Sequence, residues 1–339
     1  MKQACHAARV IRPGLIHING RCGSLAAANG RLPAIAGLDR LNQTKELFMR
    51  NSLLTSLATA LIAVTASINL AAAADGPIDN SSLSKSGFRD HARTFGLVYT
   101  LPTSVNDVLD ATIRGPLKEK LLIAKLDTEA QTFNIPHVTV VHVHSADPST
   151  PEKMLAAMPK LPPVLQVTLK KFYTTEAAKG AGHPWWLDLG VVKEGDSFEQ
   201  MMAFNTTATA ALTPLRDGPL PRCTGPVYAA MGDAAKDLVR TVGVSGVNVV
   251  KDGKEQRSHN PHTTLVYSMA KFTPELQAQM NQAAKEFDQI LPNGIDTTFK
   301  TVSIVEIGFA GNVLREIYRI SLEDGSVLTV ATGKTASLK

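Results

Sequence analysis

The sequence predicts an α+β fold, and three observations predict it. Strand-like and helix-like segments mix without the regular βαβ alternation of a doubly wound sheet. A strand, a helix and a histidine-bearing strand run over residues 95–144, and a comparable arrangement with extra helical material returns over 184–267. The chain has 339 residues, 44% of them hydrophobic, enough for one large domain or two small ones with a sizeable core.

Each element has its own signal. Residues 95–100 (Phe-Gly-Leu-Val-Tyr-Thr) read as a strand. Residues 105–127 read as helix, with Gly115-Pro116 as a break and Pro116 opening the second piece. Pro136 leads a β-branched run to His144, a strand. Residues 148–163 hold five prolines around a short helix; 164–172 alternate as a strand and 184–192 form another. Asp196-Ser-Phe-Glu199 has the form of a capping box and opens a helix carrying Phe198, Met202 and Leu212. A further helix over 226–242 is closed by Gly243, and 261–267 is again strand-like. Thr273-Pro274-Glu275 caps a helix with Leu276, Met280, Phe287 and Ile290 at helical spacing. Residues 299–309, 313–322 and 326–331 read as strands, the last two joined by Asp324-Gly325, a hairpin signal.

The N-terminal part reads as an address. Met49-Arg50 precedes an apolar run that ends in Ala71-Ala-Ala-Ala74, the parts of a secretory signal peptide with cleavage expected after Ala74. The run is almost long enough for a membrane helix, but Thr55, Thr59, Thr65, Ser67 and Asn69 lower its apolarity and no basic stop-transfer cluster follows. No stable membrane span is therefore expected after cleavage, and the mature chain is expected to be exported, periplasmic or secreted. Residues 1–48 are basic and acid-poor; either translation begins at Met49, the preferred reading, or the segment is a transit sequence. Residues 1–74 thus form an extension and signal, 75–93 a polar, Ser-rich leader, and 94–335 the folded domain.

Charge and cysteine content exclude several classes. The net charge of +5 comes from residues 1–74, with eight Lys/Arg against Asp39 and Glu46; the remainder carries 27 basic and 28 acidic groups. A long non-specific nucleic-acid track is excluded by that balance. Three cysteines, with Cys223 alone after residue 74, exclude a disulfide scaffold and a cysteine-built zinc site.

Two segments carry chemistry. Pro136-His137-Val-Thr139-Val and Pro261-His262-Thr-Thr264-Leu each read Pro-His-x-Thr-aliphatic at the start of a strand. Side chains alternate along a strand, so His137 and Thr139 share a face, as do His262 and Thr264. Side by side, two such strands gather two imidazoles and two hydroxyls around one small space. That set suits a phosphate ester. One imidazole takes a proton from the attacking oxygen, the other gives one to the leaving oxygen, and the hydroxyls donate to the non-bridging oxygens. A single His-x-Thr carries almost no information in a chain with nine histidines. Two, each after Pro and each opening an apolar strand in a repeated order, carry much more than two ordinary strands with half-buried histidines would.

The doubled His-x-Thr-hydrophobic motif resembles the two-histidine (2H) phosphoesterase superfamily, which includes 2′,5′-RNA-ligase-like and cyclic phosphodiesterase proteins. The resemblance covers about residues 95–330 in element order. It implies a bilobal fold, two pseudo-repeated lobes of antiparallel sheet plus helices around a central cleft, each lobe giving one motif. It also implies metal-independent chemistry on 2′,3′-cyclic phosphates or 2′–5′ linkages, with His137 and His262 as catalytic residues and Thr139 and Thr264 holding the phosphate. The two histidines lie 125 residues apart, wider than a compact member needs, with the extra length in the second half. Inserted loops reshape a cleft rim, so the substrate stays open.

The expected function is accordingly an exported phosphodiesterase acting on a nucleotide or short RNA, as a monomer, with no metal and no organic cofactor. The alternatives are a binding module that uses the same cleft without turnover, which does not need two proton carriers, and 2′–5′ RNA ligation, for which the near-neutral chain lacks a basic surface. Other residues have weaker claims. Tyr99 is placed to stack a base or to pack in the core. Trp185 and Trp186 face opposite sides of their strand, so one is core and the other a possible stacking platform. Arg257 and His259, just before the second motif, are within reach of a phosphate or part of a solvated loop. His142 and His144 with Asp147 suit a metal, but their strand parity is opposite to His137 and turns them away from the cleft. No Gly-rich phosphate loop, nucleophile elbow or zincin motif is present: Gly180-Ala-Gly182 and Gly243-Val-Ser-Gly246 each lack the remainder of the pattern.

Overall fold

A computed structural model describes residues 94–338 apart from 129, 131–135, 177–184, 218–230, 269 and 309–312. The expected signal, the 75–93 leader, Cys223 and Gly180-Ala-Gly182 lie outside the described residues. In chain order the elements are β1 (Thr94–Thr100), α1 (Thr103–Leu109), a π-helical turn (Asp110–Arg114), α2 (Gly115–Ile123), β2 (His137–His144), α3 (Thr150–Ala156), β3 (Leu165–Glu176) and β4 (Trp185–Val191). There follow α4 (Asp196–Leu212), a 3₁₀ turn (Thr213–Leu215), α5 (Asp233–Thr241), β5 (Val249–Lys251), β6 (Lys254–Gln256), β7 (His262–Ser268) and α6 (Pro274–Ile290). The chain closes with β8 (Ile295–Phe299), β9 (Thr301–Ile307), β10 (Val313–Ser321), β11 (Ser326–Thr329) and β12 (Lys334–Ser337). Helices and antiparallel strands mix without parallel crossover units, which is the α+β class the sequence predicts.

Ten strands make one antiparallel sheet in the order β12-β11-β10-β9-β1-β2-β7-β4-β3-β8. β2 and β7 meet in its middle through one residue pair, Val138 opposite Thr263. On one side of that seam β2 is flanked by β1 and then β9; on the other β7 is flanked by β4 and then β3. Alternate strand residues from both sides, among them Tyr99, Val138, Trp185, Leu187 and Phe299, join Leu109, Leu117, Phe204 and Met280 from the helices in one buried cluster. Burying a side chain of this size contributes about 1.5–3 kcal/mol, so this cluster fixes which face of the sheet is covered. The opposite face is where the polar members of the motifs emerge.

Local sequence explains the departures from expectation. Gly115-Pro116 does not break the first helix. The turn ahead of it widens instead, with Gly115 N–H donating to Asp110 carbonyl, five residues back. A proline ring clashes with the carbonyl four residues before it and offers no N–H, and a π turn absorbs both defects. The Asp196–Glu199 capping box does not form. Gly195 caps α4 at φ +86°, a conformation that favours glycine, with no side-chain cap bond. Glu199 is drawn instead to Arg257. The strand expected over 299–309 is broken at Lys300 into β8, which pairs with β3, and β9, which pairs with β1. One residue joins elements far apart in strand order, so the sheet curls until Phe299 packs against Tyr99, ring centroids 5.3 Å apart. The β5–β6 hairpin turns at Asp252-Gly253, a signal the sequence carries and the expectation passed over. β12 has none.

Candidate active site

Each motif opens a strand directly after a proline. Proline cannot donate to a ladder, so it is tolerated at a strand start. Its carbonyl still accepts: Leu101 N–H donates to Pro136 at 3.2 Å and Val191 N–H to Pro261 at 3.1 Å. Each motif strand is therefore pinned at the same point by the strand outside it. The register of Val138 with Thr263 then sets His137 opposite Thr264 and Thr139 opposite His262. Opposed residues of an antiparallel pair share a face, so all four side chains project from the side of the sheet that the main cluster does not cover. The two histidines are diagonal neighbours, a relationship that puts Cβ atoms about 7 Å apart.

The surroundings of the two motifs differ. His137 is buried at 6% exposure, whereas the His262 side chain is 36% exposed. His262 Nδ1–H donates to the Asn260 carbonyl at 2.7 Å, which leaves Nε2 as the nitrogen free to exchange a proton. That Nε2 lies 3.8 Å from Oδ1 of Asp188, a carboxylate only 1% exposed. Thr264 Oγ donates to the same Oδ1 at 2.7 Å and Thr175 Oγ donates to Oδ2 at 2.7 Å. Burial pushes Asp188 above the usual carboxylate range, against the opposing effects of His262 and of hydrogen bonds from Thr175, Thr264 and Trp186. Tyr173, opposite Asp188 on β3, sets its ring edge-on to His262 at 6.4 Å and accepts a 3.3 Å bond from Asn260. Burial, then the charge of Asp188, hold the Tyr173 phenol in its neutral form. Gly190 lies opposite His262, and a Cβ there would stand 3.6 Å from the Tyr173 ring.

A cavity of about 210 Å³ opens beside Thr139 and His262, walled by His142, Gly246, His259 and Asn260 among others. The presence of His142 corrects the parity argument. Leu97 pairs with Val141 while Val98 pairs with Thr139, so Val140 is a bulge, and a bulge reverses the alternation beyond it. His142 is thereby returned to the cleft side. His144 is not in the wall; it is buried at the strand end with its Nδ1 2.9 Å from Thr94 Oγ. Among the described residues no group of three or more His, Cys, Asp or Glu has the geometry of a metal site.

The bulge is held by buried amides. Asn205 on α4 donates to the Val140 carbonyl and accepts from Asn248 N–H at 2.7 Å. Asn248 Oδ1 in turn accepts from the Ser258 and His259 N–H groups at 3.1 and 3.0 Å. His259 Nδ1–H donates to the Gly246 carbonyl at 3.1 Å. Both rims of the cavity thus hang on one relay. Burial, with His262 nearby, lowers the His259 imidazole to about 4, against the raising effect of its bond to Gly246.

The remaining sequence candidates divide. His259 lines the cavity. Trp186 is half-buried and, two residues before Asp188 on β4, shares its face. Trp185 is core: fully buried, stacked on Phe272 at 5.7 Å, its Nε1–H donating to Asp127 at 2.8 Å. Tyr99 is core as well, since it pairs with Val138 and so faces away from the motif side. Arg257 is committed to Glu199 and Glu255, both at 2.7 Å, and lines a separate cavity beside Asp237 and Lys251 rather than this one. Sequence reasoning missed Asp188, Tyr173 and Asn260. Asp188 had a signal: a lone carboxylate inside Trp-Trp-Leu-Asp-Leu, where a buried charge requires partners.

No known family model matches the chain, and no curated protein matches it. Solved structures of Kluyveromyces marxianus Usb1 are similar at a low level. One matches at 10% identity and a TM-score of 0.30, over 64% of this chain and 97% of that one. Another, with uridine monophosphate, matches at 9% identity and a TM-score of 0.35, over 64% of this chain and 98% of that one. Likeness this slight carries no function from one protein to the other.

Proposed function

We propose that the chain is an exported, metal-independent phosphodiesterase that hydrolyses a 2′,3′-cyclic or 2′–5′-linked nucleotide phosphate with His137 and His262. One observation carries the reading: the single register pair between β2 and β7 gathers both Pro-His-x-Thr motifs on one face of one sheet. A tetrahedral phosphate seated between diagonal imidazoles has one on the side of the attacking water and one on the side of the leaving ribose oxygen. The first takes the water proton as the P–O bond forms; the second protonates the ribose oxygen as the old P–O bond breaks. Thr139, whose neighbour on β1 is the apolar Val98, is free to donate to a non-bridging oxygen. The strand order supports the bilobal reading, because the seam divides the sheet into one wing around β2 and another around β7. The cavity at the seam is small and its walls carry imidazole, hydroxyl and amide groups, which suits a nucleotide or a chain end better than a long duplex.

The test is a panel of 2′,3′-cyclic nucleotides and 2′–5′ dinucleotides, assayed with and without chelator beside calorimetry. The proposal expects turnover that the chelator leaves intact. Tight binding without turnover would replace it with a binding module.

A further inference from the structure

The two motifs are alike in sequence but not in what stands beside their threonines. By register, the residue next to Thr139 on the outer strand is Val98, and the residue next to Thr264 is Asp188. A threonine has one proton to donate. That of Thr264 goes to Asp188 Oδ1 at 2.7 Å, and that of Thr175 goes to Oδ2. While Asp188 is a carboxylate, Thr264 therefore turns only lone pairs to the cleft. An arriving phosphoryl oxygen would meet acceptors and, behind them, a buried negative charge. Once Asp188 carries a proton, it can donate to Thr264 and release the threonine O–H toward the anion.

We propose that Asp188 is a positioning residue that sets the direction of the Thr264 hydroxyl, so that the site takes up a proton at Asp188 together with a tetrahedral anion. The inference rests on the phosphodiesterase reading and deepens it: the anion is the phosphate of the substrate or product. The groups facing Asp188 are consistent with it. His262 approaches from β7, Tyr173 and Thr175 from β3, and Trp186 from its own strand. His262 is the one imidazole among them, 3.8 Å away and outside direct hydrogen-bond distance. Burial already favours the neutral acid. Beside Thr139 stands the apolar Val98 in place of a carboxylate, so the two threonines are inequivalent: donation by Thr264 depends on Asp188 and donation by Thr139 does not.

The experiment uses inorganic sulfate, a tetrahedral anion that does not titrate between pH 5 and 8, bound to the whole protein. Calorimetry in buffers of different ionisation enthalpy counts the protons taken up per sulfate. Wild type should take up more protons than Asp188→Asn, by up to about one, because the amide supplies its donor to Thr264 at every pH. At pH 7 the amide variant should bind sulfate about tenfold tighter, the equivalent of one unit of proton affinity. In a Thr264→Val background the Asp188→Asn change should alter neither quantity. Equal proton uptake by wild type and the amide variant, or the same Asp188→Asn effect with and without Thr264, would overturn the proposal, as would absence of sulfate binding. Should the amide variant not fold, the Asp188 carboxyl band of wild type, read by infrared difference against Thr264→Val, must shift toward the protonated form on adding sulfate. No such shift overturns it. Turnover of a cyclic nucleotide by wild type, measured in parallel, separates this failure from failure of the phosphodiesterase reading.

Discussion

His259 shows how far one side chain can be read. It borders the cavity and keeps its Nδ1–H on a carbonyl, and burial lowers its imidazole to about 4. An unfolded histidine takes its proton near 6.5. Between these values the unfolded chain binds a proton that the folded chain refuses, so stability is lost as pH falls from about 6.5 to about 4 and levels off below. The contribution of this group is on the order of 3 kcal/mol. His259→Asn should flatten that part of the curve of melting temperature against pH; an unchanged slope would contradict the assignment. The threonines give a second prediction. Thr139→Val should lower kcat about 10²-fold or more through the lost transition-state donor. Thr264→Val should cost less, because the proton of this threonine is already committed to the Asp188 carboxylate. Equal losses at pH 7 would contradict the inequivalence. Asp188 itself was legible as an odd residue in an apolar strand, but its partners were not, because nothing local tells which strand lies beside it.

Among the elements, β2 repays the closest attention. Its opening at Pro136 and its β-branched run were plain in the sequence, and the element formed as predicted. The bulge at Val140 was not, since a bulge depends on the partner strand and on what receives the freed carbonyl. Here Asn205 receives it, from a helix whose own expected capping box was pre-empted by Gly195. Asn205→Ala strands the Val140 carbonyl and the Asn248 N–H in a buried place and should destabilise the fold by about 2–4 kcal/mol. Because both cavity rims hang on this amide, KM should rise as well. A variant of unchanged stability would show that the relay is not structural. The helix at Gly115-Pro116 shows the same from the other direction: the expected break did not form, because tertiary packing of Leu109, Ile113, Leu117 and Leu121 kept the helix going through a π turn.

For the whole molecule, the class and the element order followed from periodicity, because most segments have a buried and an exposed face and the sequence records both. The sheet order did not follow. That β2 and β7 are neighbours was an inference from chemistry, two like motifs needing a common phosphate, and the single pair at Val138 and Thr263 is what gives it geometric support. The curl that carries Lys300 from one edge of the sheet to β9 was invisible, since chain continuity looked like one strand. The proposed hydrolysis requires the two imidazoles to work as a unit. The most direct measurement is a double-mutant cycle on kcat for 2′,3′-cyclic nucleotide hydrolysis with His137→Ala, His262→Ala and the pair. Each single change should cost about 10²–10⁴-fold, and the double variant should be no slower than the worse single by more than a small factor, because either loss already disables the shared step. Costs that simply multiply, or a double variant as active as wild type, would contradict it.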